Sequence, residues 1–227
     1  MKNILVTGAN GHVGSVTVRR LAESGHQVIA VTRKNKAIFD HPNIHHFQAE
    51  LSDDDQVKYL FAQLYQKFTT IDAIIMTAGG FITGSIKNTS EQEMEQMIST
   101  NFKSAYFVVR HSLDNMLRQT EGGKYIFFSA KSALDANMAK NAFAYSLSKS
   151  MLLHLSEVIN ATGKNKKIVS TIIAPNIIDT PENRKFMPDA NFEDWVTTDE
   201  IADMILQLCS DSGKSLRNTV IKMYGNR

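Results

Sequence analysis

The chain has 227 residues, 43% of them hydrophobic and 21% charged, and a net charge of +2. This suits one globular domain with a sizeable core, and the charge is too small to point to a polyanionic partner. The single cysteine, Cys209, excludes an intramolecular disulfide, and no run approaches the roughly 18 apolar residues of a membrane span.

Met1 is followed almost at once by a short apolar run, without the basic region and long apolar stretch of a signal peptide. A cytoplasmic protein is expected. Lys2 to Thr7 reads as a buried strand ending at Gly8, and His12 to Ser24 as a helix stopped by Gly25. Gln27 to Thr32 is a second strand and Ile44 to Gln48 a weaker third. Ser52 is the expected N-cap of a helix running to about Phe68, with Asp53, Asp54 and Asp55 favouring its positive end.

Ile71 to Thr77 is a fourth strand, closed by Ala78-Gly79-Gly80. After a loop from Phe81 to Thr89, one long helix is expected over Glu91 to Gln119. Gly122-Gly123 breaks it before a fifth strand, Lys124 to Ser129. Asn141 to Ala161 reads as a helix, Lys167 to Ala174 as a sixth strand, and Thr180 to Trp195 as a polar loop. Asp199 to Ser210 is a helix, and Thr219 to Met223 a seventh strand. Alternating helices and continuous apolar strands describe an α/β protein whose mostly parallel sheet is covered on both faces. Residues 1–227 therefore read as a single doubly wound, Rossmann-like domain.

The segment Thr7-Gly8-Ala9-Asn10-Gly11-His12-Val13-Gly14 lies between the first strand and first helix. There Gly8 permits a tight turn, Gly11 lets backbone approach a pyrophosphate, and Gly14 lets helix and strand meet closely. The helix N-terminus adds free N–H groups and a positive dipole. A ligand-free glycine turn is the competing reading. The second strand ends Val31-Thr32-Arg33-Lys34 without the carboxylate that would bind ribose hydroxyls. Thr32 and Arg33 suit a 2′-phosphate, which favours NADP over NAD; as an alternative, Arg33 and Lys34 are solvated loop charges.

Tyr145 and Lys149 stand one helical turn apart. An ammonium so placed can stabilise a phenolate and lower the tyrosine pKa, making a proton donor of it. A solvated helix face is the bland reading. The seven histidines show no metal-ligand spacing, so no metal is expected. A basic stripe with interleaved aromatics is lacking, which argues against nucleic acid.

With these motifs together, the whole chain resembles the short-chain dehydrogenase/reductase family. The resemblance puts Glu50-Leu51 beside the adenine and Ala78, Gly79 and Gly80 beside the adenosine ribose. It makes Asn101 the support of a proton-relay water. Tyr145 and Lys149 match that family's Tyr-x-x-x-Lys. Pro175, Ile178 and Thr180 fall in its proline-led loop at the nicotinamide, although a helix start is the other reading of Thr180-Pro181. The resemblance implies hydride transfer between NADPH and a carbonyl, quinonoid or imine substrate, with Tyr145 as proton donor or acceptor and Lys149 on the nicotinamide ribose. It also implies a homodimer or homotetramer.

One departure bears on mechanism. Ser132 has the family's usual separation from the tyrosine, Ser129 is better placed at the strand end, and alignment by the strand puts Ala130 at the usual serine position. The segments Ala130–Asp135, Ala144–Lys149 and Asp179–Trp195 resemble those of the quinonoid dihydropteridine reductases, which lack that serine but carry an acidic residue after the second strand. Phe81, Phe186, Met187 and Trp195 could line a substrate pocket or serve packing. A protein that senses NADP without turnover is the alternative from a different class.

Overall fold

The computed structural model describes residues 1–34 and 39–226. Seven runs form the strands β1 (Asn3–Thr7), β2 (Gln27–Thr32), β3 (Ile44–Gln48), β4 (Ala73–Met76), β5 (Gly123–Phe128), β6 (Ile168–Pro175) and β7 (Thr219–Met223). They form one sheet in the order β3-β2-β1-β4-β5-β6-β7, and every pairing is parallel. The expected mostly parallel sheet is thus wholly parallel.

Alternating side chains along each strand feed two cores. Leu5, Ile29 and Ile74 face Leu60 and Leu64 of α2 (Asp54–Lys67), Val108 of α4 (Ser104–Arg118) and Leu152 of α6 (Phe143–Thr162). Ile4, Val6 and Ile75 face Leu21 of α1 (His12–Glu23) and Ile201 and Ile205 of α8 (Thr198–Cys209). Central strands are buried on both faces, whereas edge strand β7 alternates between partly buried and exposed residues.

Three expectations change. The N-cap of α2 is Asp53, whose carboxylate accepts from Asp55 N at 3.0 Å and Gln56 N at 3.1 Å. Ser52 instead donates to Glu50 at 2.7 Å. The long helix is divided into α3 (Glu91–Met97) and α4 by a π-helical turn, Ile98–Lys103. The stretch read as polar loop contains α7 (Pro181–Phe186) and a 3₁₀ turn, Phe192–Asp194. Thr180 caps α7 by accepting from Asn183 N at 3.2 Å, Pro181 occupies its first turn, and Arg184 forks onto Asp179 at 2.6 and 2.7 Å. α5 (Ala136–Ala139) completes the helices named here. Among the described residues, no helix is long and apolar enough to cross a membrane.

Candidate active site

The C-terminal ends of β1, β4, β5 and β6 open onto a cavity of about 690 Å³. This is the end at which parallel α/β sheets receive ligands. The glycine loop supplies His12 and Val13, β4 leads to Gly79 and Gly80, β5 leads to Ser129, Ala130 and Ser132, α6 presents Tyr145 and Lys149, and β6 ends at Pro175 and leads to Ile178 and Thr180.

The glycine loop is built for close approach. Gly14 lies so near the preceding turn that a Cβ there would stand 2.2 Å from the Gly8 carbonyl oxygen. Gly8, Asn10 and Gly11 complete the turn, and Gly11 N donates back to Gly8 O at 2.9 Å. Thr32, at the end of β2, is buried and donates its hydroxyl to Lys34 O at 2.8 Å, so its proton is already used. Arg33 beside it is exposed, and among the described residues no carboxylate pairs with it. Glu50 accepts from both the backbone and hydroxyl of Ser52, while Leu51 is buried in the core. These residues stand around the glycine loop and the ends of β2 and β3, outside the cavity lining.

Asn101 holds two parts of the site together. Its Oδ1 accepts from Gly80 N at 2.8 Å, and its Nδ2 donates to Gly80 O at 3.1 Å and Ser148 Oγ at 2.9 Å. The π turn lies at this residue, as such turns frequently do at functional sites. Gly79 fits beside it because it has no side chain: a Cβ would stand 2.8 Å from Asn101 Oδ1 and 3.1 Å from Lys149 Nζ. Ala78 precedes it, its N at 3.5 Å from Thr7 Oγ1.

Lys149 is buried and donates its ammonium to Phe128 O at 2.9 Å. Burial pushes its pKa down to about 8. The Tyr145 ring lies 6.0 Å from that ammonium and meets Phe81 edge to face at 4.9 Å. Burial pushes the phenol up to about 12. The expectation that Lys149 lowers the Tyr145 pKa is therefore corrected, because burial of the phenol raises it.

Ser129 is buried and donates to Lys149 O at 3.0 Å, while Ala130 and Ser132 line the cavity. Phe81, Phe186 and Met187 also line it, but Trp195 does not: it is buried against Phe192, with ring centroids 4.8 Å apart. Sequence reasoning missed Glu182, whose carboxylate pairs with His12 and joins α7 to the glycine loop. It also missed Ser148, which donates to Tyr145 O at 2.8 Å and accepts from Asn101. Their signals were present, as an acid in the first turn of α7 and a serine just before Lys149.

A family profile described as short chain dehydrogenase matches residues 2–191. The dihydropteridine reductase of Dictyostelium discoideum is 29% identical over 217 residues, 93% of this chain and 89% of that protein. A solved structure titled "ElxO with NADP Bound" superposes with a TM-score of 0.90 at 21% identity, covering 98% of this chain and 96% of that one. The aldohexose dehydrogenase of Thermoplasma acidophilum, in ligand-free form, superposes with a TM-score of 0.85 at 21% identity, covering 99% and 93%.

Proposed function

The chain belongs to the short-chain dehydrogenase family, and from its site we propose that it is an NADPH-dependent oxidoreductase that reduces a carbonyl, quinonoid or imine substrate. The observation that carries this reading is the cavity itself, which brings Tyr145 and Lys149 against Gly79 and the end of β6. NADPH would supply the hydride when bound. Gly8, Asn10, Gly11, His12, Val13 and Gly14 would hold its pyrophosphate, Arg33 its 2′-phosphate, and Glu50 and Leu51 would border the adenine. Ala78, Gly79 and Gly80 would flank the sugars, and Pro175, Ile178 and Thr180 the nicotinamide end.

Tyr145 donates a proton to the substrate heteroatom. Its raised pKa keeps the phenol protonated through the neutral range. Lys149 positions ribose hydroxyls and carries positive charge beside the tyrosine. Asn101 holds Gly80 against α6 and supports proton delivery to Lys149. Thr32 lends its oxygen only as an acceptor, since its proton is committed to Lys34. The protein acts as a homodimer or homotetramer, on the family resemblance.

A narrower reading has its own support. Ala130 lines the cavity where a polarising serine would stand, and the proton of Ser129 is used on Lys149. An acceptor that needs little electrophilic help, such as a quinonoid dihydropterin, suits this wall. The Dictyostelium relative named dihydropteridine reductase points the same way. The test is NADPH oxidation with a panel of ketones, quinones and quinonoid dihydropterins, repeated with Tyr145→Phe. Turnover of the dihydropterin well above the ketones supports the narrower reading. NADPH binding with no turnover of any acceptor would mean a sensor and overturn the enzyme.

A further inference from the structure

At the other end of the sheet lies a second cavity, of about 350 Å³, among the N-terminal ends of β1, β4, β5, β6 and β7. Nothing in the hydride-transfer reading uses it. Five cationic side chains line it (Lys2, Lys124, Lys167, Lys214 and Arg217) against two carboxylates, Asp72 and Glu121.

The carboxylates are already engaged. Asp72 accepts from Asn3 N at 2.7 Å, Glu121 pairs with Lys167 at 3.2 Å, and Asp211 nearby pairs with Lys214 at 2.9 Å and lies 4.0 Å from Lys2. Lys2 donates to Cys209 O and Lys124 to Gly213 O, so both ammoniums hold carbonyls at and beyond the end of α8. Arg217 spends one N–H on Ile168 O at 2.7 Å. Among the described residues, neither Lys124 nor Arg217 has a carboxylate partner. Lys124 is buried, and an uncompensated buried ammonium is stabilised by any anion that reaches it. The cation excess exceeds one charge, which matches a dianion better than a carboxylate. Val169, Leu208 and Cys209 supply apolar wall.

We propose that this cavity binds a small organic phosphate, its phosphate between Lys124 and Arg217 with Lys2 and Lys167 around it, and its apolar body against Val169 and Leu208. Arginine supplies a planar fork and lysine a point charge, a pairing suited to phosphate oxygens. The site is separate from the dinucleotide end, where Arg33 stands.

The probes are phenyl phosphate and inorganic phosphate, titrated into the full chain by calorimetry at fixed ionic strength. Phenyl phosphate should bind saturably, with Kd on the order of 1 mM. Binding should weaken at least about tenfold in Lys124→Met and in Arg217→Met, and change less than about twofold in Arg33→Ala. Arg217 is exposed, so its variant carries the test if Lys124→Met fails to fold. Inorganic phosphate should bind more weakly; equal affinity would overturn the organic half of the proposal. No saturable binding, binding untouched in the folded variants, or a loss as large in Arg33→Ala would overturn the site.

Discussion

The Ser129 hydroxyl donates to the Lys149 carbonyl oxygen at 3.0 Å, tying the end of β5 to α6. A hydroxyl has one proton, and this one is buried and already used. To polarise a substrate oxygen, Ser129 would have to break that bond. Ser132 lines the cavity, and among the described residues its hydroxyl has no partner. Ser129→Ala should therefore cost about 1 kcal/mol in urea unfolding and leave kcat/KM within about threefold. Ser132→Ala should lower kcat/KM about tenfold for a ketone acceptor at unchanged stability, and less for a quinonoid dihydropterin, which needs little electrophilic help. The reverse pattern would make Ser129 the polarising group.

Asn101 satisfies both the N–H and the carbonyl of Gly80 while holding Ser148. Asn101→Asp keeps the shape and the acceptor but replaces the donor with an oxygen facing two oxygens. That change should cost about 2–3 kcal/mol, because a buried carbonyl loses its partner and a charge is buried. Gly80 borders the cavity, so kcat should fall with it. Wild-type stability in the variant, read by denaturant midpoint, would show that Asn101 does not hold the loop.

Much of this was legible in the sequence, for physical reasons. Strands buried on both faces must be continuously apolar, so β1, β2 and β6 stood out. Tyr145 and Lys149 were visible because helical spacing alone puts them on one face. The π turn at Asn101 was not, nor were the bonds of Asn101 to Gly80 and Ser148, which are distant in sequence. α7 was hidden because PENRKF has no apolar stripe; only Thr180-Pro181 marked its start. The direction of the Tyr145 shift could not be read either, since it follows from burial. Lys124 looked like the polar start of a strand, and its cavity exists only once β1, β5, β6 and β7 lie side by side.

Arg33 is exposed at the end of β2, and Thr32 has its proton on Lys34. If coenzyme preference rests on one guanidinium, removing it should separate the two coenzymes. Arg33→Ala should weaken NADPH binding about tenfold or more and NADH less than about twofold, by fluorescence titration. Because the pair is exposed, the NADPH loss should shrink at high salt. Equal effects on both coenzymes would remove the basis for assigning NADP.

Lys124 makes a pH-dependent contribution whose sign is set by its lowered pKa. Burial brings the ammonium from 10.5 down to about 8. Between those values the unfolded chain binds the proton and the folded protein does not, so stability rises with pH across that window. Below about 8 both states are charged and the full penalty of burying the ammonium is felt. Lys124→Met removes the titration and keeps most of the stem. It also gives up the bond to Gly213 O, a loss that does not vary with pH. The stability of the variant relative to the parent should therefore fall by about 2 kcal/mol from pH 8 to pH 10.5, whatever its starting value. Denaturant unfolding of both proteins across that range, in phosphate-free buffer, measures the difference. A difference flat with pH would mean that Lys124 keeps its ordinary pKa and is not held uncompensated in the second cavity.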